Sequence, residues 1–162
     1  MRGVDFLVEL PHGDAGTFTT MRIMARMAAR PAATVRAKAA ELTAGQSPPA
    51  AIARLFLFVR DQVANVPDPR GIEWLQAPHV TLENPIGDCD DKAALLAALL
   101  VAAGFRVRFV AIGVRSRALT VVLIEVWRPG GWLALDPKNP HAWPGWSYPW
   151  PSRVERLAIG EL

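Results

Sequence analysis

The sequence has few cysteine and histidine residues, which form disulfide bonds and bind metal ions. Its 162 residues include one cysteine, Cys89, and three histidines. A lone cysteine excludes an internal disulfide and a zinc site made of several cysteines. We therefore expect no metal ion and no cofactor, and the single thiol needs its own explanation.

Long apolar runs are also missing, although hydrophobic residues make up 51% of the chain and charged residues 20%. That balance excludes intrinsic disorder. The longest apolar run, residues 93–103, is shorter than the roughly 20 residues that a membrane helix needs. Asp5 and Glu9 interrupt the first ten residues, where a signal peptide would be apolar. We expect an intracellular protein with no membrane contact.

Lysine is scarce as well, and Lys38, Lys92 and Lys138 are the only examples. Arginine supplies most of the positive charge behind the formal net charge of +3. The arginines are scattered from Arg2 to Arg156, whereas a nucleic-acid-binding surface usually shows a patch or a stripe. Nucleic acid is therefore not an expected partner.

Helical patterns dominate the first half of the sequence. A helix capped at Thr19 or Thr20 and a short helix over residues 34–44 are predicted first. Pro48 suits the first turn of a third helix, in which apolar residues recur at helical spacing. Residues 72–86 show no regular pattern, so an irregular segment is expected there.

The second half of the sequence predicts a buried helix followed by strands. Residues 93–103 are apolar on every face of a helix, which is typical of a helix in the middle of a domain, and Gly104 ends it. Strand-like runs then follow at 105–112, 119–127 and 132–135. This order predicts one α+β domain over residues 1–162, with the buried helix followed by an antiparallel sheet.

Cys89 lies at the start of that buried helix. The helix dipole and the free backbone N–H groups favour a thiolate at this position. Asp88, Asp90 and Asp91 act in the opposite direction, since their charges disfavour ionisation of the thiol. A catalytic nucleophile and a small buried apolar residue both remain possible interpretations.

Several motifs occur in a characteristic order: residues 87–93 (GDCDDKA), the apolar helix, Glu125-Val126 and Leu135-Asp136-Pro137. In this order they resemble the transglutaminase-like branch of the papain-like cysteine enzymes, in particular the small proteins of this kind encoded by tailed phages and prophages. The resemblance covers most of the chain. It implies a papain-like core in which the central helix begins at the cysteine and packs on the sheet.

The resemblance also implies a Cys-His-Asp triad, with Cys89 as nucleophile and Asp136 as the residue that orients the base. The family histidine precedes the glutamate of its strand by four residues, and that count from Glu125 leads to Val121. No histidine occurs between His79 and His141. The site is therefore expected to be degenerate and the protein to be non-catalytic.

Substitute bases keep an alternative open. His79 precedes the cysteine in the irregular segment, His141 follows Asp136 closely, and Glu125 shares a strand face with Val121. With one of these bases, the protein would be an active cysteine amidase, peptidase or acyl transferase. His12 is expected on the surface of the first turn.

Residues 138–162 form a C-terminal arm rich in proline and tryptophan. Its aromatic residues fit either a protein interface or packing on the arm's own domain. They are Trp143, Trp146, Tyr148 and Trp150. The resemblance implies a phage virion or assembly protein, present in the host cytoplasm and then in the particle. Its expected partners are other phage structural proteins and, within a particle, further copies of this chain.

Overall fold

A computed structural model describes residues 6–7, 13–71 and 73–160. The helices are α1 (Asp14–Ala29), α2 (Ala33–Thr43), α3 (Pro48–Gln62), α4 (Pro78–Glu83) and α5 (Cys89–Ala102). The short strands are β1 (Phe6–Leu7), β2 (Ala64–Asn65), β3 (Trp74–Leu75) and β4 (Ile86–Gly87). The longer strands are β5 (Val107–Gly113), β6 (Val121–Arg128), β7 (Gly131–Leu135) and β8 (Arg153–Ala158).

Helices α1, α2, α3 and α4 surround α5. Helix α3 begins as predicted at Pro48 and buries its apolar stripe against the core. Helix α1, however, begins at Asp14 rather than near Thr19 or Thr20. Asp14 is fixed there by Arg153 and by the backbone N–H of Leu119, which are distant in the sequence. Tertiary contacts therefore set the start of this helix.

Helix α5 is the centre of the domain, as its all-apolar sequence predicts. From Ala93 to Leu100 its residues are completely buried. Gly104 follows the helix with a φ of +89°, a left-handed backbone conformation that favours glycine. The helix packs against α1, α2, α3 and α4 on one side and against the sheet on the other.

The main sheet has the strand order β7-β6-β5-β8, and all its neighbours are antiparallel. Side chains alternate between two faces. The inner face packs on α5 through Phe109, Ala111, Val122, Ile124 and Val126. The outer face carries a small separate cluster of Val110, Ile112 and Leu123, against which Val121 and Tyr148 pack. The predicted α+β fold, with the buried helix packed on an antiparallel sheet, is confirmed.

Two regions differ from the sequence prediction. Residues 72–86 contain α4 and two short strands, with β3 pairing with β1 and β4 pairing with β2. The arm over residues 138–162 also contains β8, an edge strand of the main sheet that the sequence did not predict. Strand β8 is only partly buried along its length, so its sequence lacks the clear alternation that predicts a strand.

Within the described part of the chain, no helix is both long and apolar enough to cross a membrane.

Candidate active site at the start of the buried helix

A reciprocal capping box opens α5. Oδ1 of Asp88 accepts hydrogen bonds from the backbone N–H groups of Asp90 (2.9 Å) and Asp91 (3.2 Å). Oδ2 of Asp91 accepts one in return from the N–H of Asp88 (3.2 Å). A Cβ atom on Gly87 would lie 2.6 Å from Cβ of Asp91. The glycine and two of the aspartates in the GDCDD run are therefore explained by the structure of the helix start.

The Cys89 thiol is partly buried at this helix start, and its hydrogen-bond acceptor is Oδ1 of Asp90 at 3.7 Å. Burial raises the pKa of Cys89 far above its ordinary value, and the charges of Asp90 and Asp88 raise it further. The charge of Lys138 acts in the opposite direction but is a smaller influence. Burial and the aspartates thus favour the neutral thiol over the thiolate.

The neighbouring carboxyl groups also resist ionisation. Burial, followed by the charge of Asp91, raises the pKa of Asp88 to about 6. Burial, followed by the charge of Asp88, raises the pKa of Asp90 to about 7. The pKa of the thiol is raised far above both values, so transfer of its proton to either carboxyl group is unfavourable.

Lys92, the last polar residue of the run, has a structural role. Its Nζ donates to the backbone carbonyls of Arg60 (3.1 Å) and Val63 (2.9 Å), at the C-terminal end of α3. The residue is only 3% exposed. It therefore joins α3 to α5 rather than serving the thiol.

Asp136 follows the end of β7, where the ladder with β6 ends at the pair Ile124–Leu135. It is 1% exposed, and its Oδ1 accepts a hydrogen bond from the N–H of Lys138 (3.1 Å). Among the described residues, no group donates to its Oδ2. Burial raises the pKa of Asp136. The residue expected to orient a base thus retains an unpaired oxygen.

An apolar side chain, that of Val121, occupies the position at which the resemblance places the histidine base. Val121 is the first residue of β6 and packs against the outer-face cluster. Its partner in the ladder is Ile112. A valine side chain neither accepts nor donates a proton, so this position supplies no acid–base chemistry.

None of the three substitute bases forms a hydrogen bond with Cys89. In the described part of the chain, the only side-chain hydrogen bond of the thiol goes to Asp90. His79 is half-buried on α4, and His141 is exposed. Glu125 is held in ion pairs by Arg108 (2.5 Å) and Arg156 (3.2 Å). His12 lies outside the described residues.

A cavity of about 410 Å³ opens beside Cys89. Its other polar or acidic lining residues include Asp14, Thr17, Thr20, Glu73 and Asp90. Ligand atoms of Asp88, Cys89 and Asp90 lie within 4.8 Å of one another, a spacing that a metal ion could bridge. Because the carboxylate of Asp88 already caps the helix, this grouping is explained without a metal.

The four aromatic residues of the arm divide into two pairs. Trp143 and Trp150 are 62% and 87% exposed. Trp146 packs against the main core, and Tyr148 packs against the outer-face cluster with its ring 5.1 Å from that of Trp146. The expected interface is thus compatible with the exposed pair, whereas the other two rings pack within the domain.

Tyr148 is the site residue whose place the sequence did not predict. Burial raises its pKa, and the charges of Asp136 and Cys89 raise it further. It is the only tyrosine in the sequence and the only ring of the arm that carries a hydroxyl group. That difference from the neighbouring tryptophans is the one sequence feature that distinguishes it.

Solved structures with a similar fold include three bacterial proteins. A "putative protease" of Parabacteroides distasonis ATCC 8503 has a TM-score of 0.59 and 14% identity, over 72% of this chain and 26% of that one. A "putative cysteine protease" of Cytophaga hutchinsonii has a TM-score of 0.55 and 12% identity, over 82% and 55%. LapG of Legionella pneumophila has a TM-score of 0.54 and 16% identity, over 83% of both chains.

The first two structures are longer proteins, since this chain corresponds to 26% and 55% of their lengths. No curated protein matches the sequence. The model of the transglutaminase-like superfamily matches residues 36–137, which include Cys89, Val121 and Asp136. This match covers well over half of the chain. The chain belongs to the transglutaminase-like superfamily.

Proposed function

We propose that this chain is a non-catalytic member of the superfamily that acts through protein–protein contacts. One observation carries the proposal. Among the described residues, the side-chain hydrogen-bond partner of Cys89 is the carboxyl group of Asp90 and not an imidazole.

The chemistry of a cysteine nucleophile supports this proposal. Catalysis requires a thiolate, and the usual source is a neighbouring imidazole that accepts the proton. Here burial and two carboxyl groups raise the pKa of Cys89, and Asp136 faces no imidazole among the described residues. Loss of a single triad member typically costs several orders of magnitude in rate.

The single cysteine makes a direct test possible, because alkylation of the chain reports on Cys89 alone. The rate of alkylation is measured against pH, together with hydrolysis and amine incorporation on a general glutamine substrate. We expect slow alkylation that rises only at high pH, and no turnover. Cys89→Ala is the matched control. Turnover in the native chain that disappears in Cys89→Ala would overturn the proposal.

The setting that we propose is a tailed-phage particle, and it rests on the sequence resemblance. The chain would be present in the host cytoplasm during assembly and then in the virion. Its partners would be other phage structural proteins and further copies of itself. The two exposed rings, Trp143 and Trp150, would supply contact surface, since tryptophan is enriched at protein interfaces.

This setting can be tested on gradient-purified particles of a phage that encodes the chain. We expect the protein to remain with the particles, and the double substitution Trp143→Ala and Trp150→Ala to reduce its incorporation. Trp74→Ala is the matched control, because Trp74 is also exposed (47%) but lies outside the arm. Particles that lack the protein, or equal losses in both variants, would contradict this placement.

A cysteine amidase, peptidase or acyl transferase with a non-standard base is the second candidate. The cavity beside Cys89 favours it, because a substrate could reach the sulfur there. Two structures of similar fold are named as proteases, which makes a peptide substrate the first choice for an assay. The Cys89→Ala comparison above separates this candidate from the non-catalytic protein.

A further inference from the structure

Three features of the outer face meet at the end of the sheet near Cys89. Val121 and Tyr148 pack against the same cluster of Val110, Ile112 and Leu123. Asp136 follows Leu135, which is buried on the inner face, so alternation directs Asp136 towards the outer face. The position of the family base, the residue that would orient it and the ring of Tyr148 are therefore neighbours.

The ring of Tyr148 is held firmly at this place. It contacts the apolar outer-face cluster on one side and the ring of Trp146 on the other, in an edge-to-face arrangement with centroids 5.1 Å apart. Trp146 in turn packs against the main core. The arm is also anchored by backbone hydrogen bonds, including Gly145 N–H to the carbonyl of Ala134 (2.8 Å).

The carboxyl group of Asp136 is incompletely hydrogen-bonded at the same end of the sheet. Its Oδ2 is buried, and among the described residues it has no hydrogen-bond donor. A buried carboxylate oxygen without a hydrogen bond destabilises the folded protein. A hydrogen bond from a nearby hydroxyl group would therefore be favourable. Tyr148 packs on the outer face, to which alternation also directs Asp136, and the charge of Asp136 raises the pKa of Tyr148 after the effect of burial.

We propose that Tyr148 has taken the place of the missing base as a positioning residue, with its ring filling the space above Val121 and its hydroxyl directed towards the carboxyl group of Asp136, whose Oδ2 has no hydrogen-bond donor among the described residues. This inference rests on the proposed non-catalytic function. It adds that the arm, through Tyr148, now fills the place of the base. The imidazole introduced by Val121→His would therefore clash with the ring of Tyr148.

The first test is alkylation of Cys89 against pH in a set of variants. Val121→His alone should stay within about twofold of the native rate at pH 7, because overpacking against Tyr148 keeps the imidazole from the thiol. Val121→His with Tyr148→Ala should react at least about tenfold faster at pH 7, since an adjacent imidazole stabilises the thiolate. Val121→His with Tyr148→Phe is the matched control and should behave like Val121→His alone.

Equal acceleration in Val121→His and in the double variant with Tyr148→Ala would overturn the proposal. So would a folded double variant that shows no acceleration. Both outcomes differ from failure of the proposed function, which appears as Cys89-dependent turnover in the native chain.

The second test does not depend on restoring a base. Because Tyr148 is the only tyrosine, the absorbance change of phenolate formation reports on this residue alone. Asp136→Asn should move the titration midpoint of Tyr148 to lower pH by roughly half a unit or more, since it removes a neighbouring negative charge. Asp61→Asn, on α3, is the matched control and should leave the midpoint unchanged. A midpoint that Asp136→Asn does not move would overturn the assignment.

Discussion

The two faces of the main sheet differ in the residues that they carry. The inner face is continuous hydrocarbon against α5, and its central residues, such as Phe109 and Ile124, are completely buried. The outer face combines a small apolar cluster with charged groups, since Glu125 there pairs with Arg108 and Arg156. The inner face therefore holds the fold, and the outer face holds the residues in which this chain departs from the family triad.

This difference explains how the loss of the base that we propose could leave the fold intact. Burial of apolar area is the main source of stability, and most of that area lies on the inner side. Val121 adds to the outer cluster and leaves the packing around α5 unchanged. A histidine at this position could therefore be replaced without loss of the core.

The largest effect is expected from the inner side. Leu99→Ala in α5 removes a completely buried side chain and should lower the free energy of unfolding by about 2–5 kcal/mol. Val121→Ala, on the outer face, is the matched comparison and should cost no more than about 1 kcal/mol, because the side chain is only partly buried. Denaturant unfolding measures both. Similar losses would contradict the division between the two faces.

A pH-dependent effect is expected at the helix start, where the two faces meet. The pKa of Asp90 is raised to about 7 from 3.8, so the folded state holds a proton that the unfolded chain releases. The contribution of Asp90 to stability is therefore greatest at low pH and falls as the pH rises from about 4 to about 7. Asp90→Asn should remove this contribution, so that the variant gains stability relative to the native chain at pH 8 and gains less at pH 4.

The same variant should affect the thiol. Removal of the Asp90 charge lowers the pKa of Cys89, so alkylation at pH 8 should become faster. Thermal unfolding across pH and alkylation kinetics supply the two measurements. Asp61→Asn, on α3, is the matched control and should leave the alkylation rate unchanged. A stability curve as steep as that of the native chain, with an unchanged alkylation rate, would argue against a raised pKa of Asp90.

The smallest effect is expected from the charged part of the outer face. Arg156 is about half exposed and lies 3.2 Å from Glu125. Arg156→Gln should cost roughly 0.2–1 kcal/mol and should matter less at high salt, because exposed ion pairs are weak and screened. Arg108→Gln is the comparison variant and should cost more stability. Arg108 also stacks on Trp132 at 3.9 Å and is less exposed than Arg156. Equal, salt-independent losses would show that packing rather than charge holds this region.

Local pattern determined much of the fold. The apolar run after Lys92 predicted the buried helix, and alternation predicted the strands β5, β6 and β7. Both patterns are properties of short segments, so no knowledge of distant residues was needed. The start of α1, helix α4 and strand β8 were not predicted, because contacts with distant parts of the chain define them.

The site divides in the same way. Sequence order alone gave Cys89 and Asp136 their family positions and located Val121 where the base is absent, because motif spacing survives along a chain. Only the tertiary structure decided that burial and the aspartates raise the pKa of the thiol, that His79 and His141 form no hydrogen bond with it, and that Tyr148 packs on the same outer-face cluster as Val121. These facts depend on burial and on distances between segments far apart in sequence, which a linear pattern does not contain.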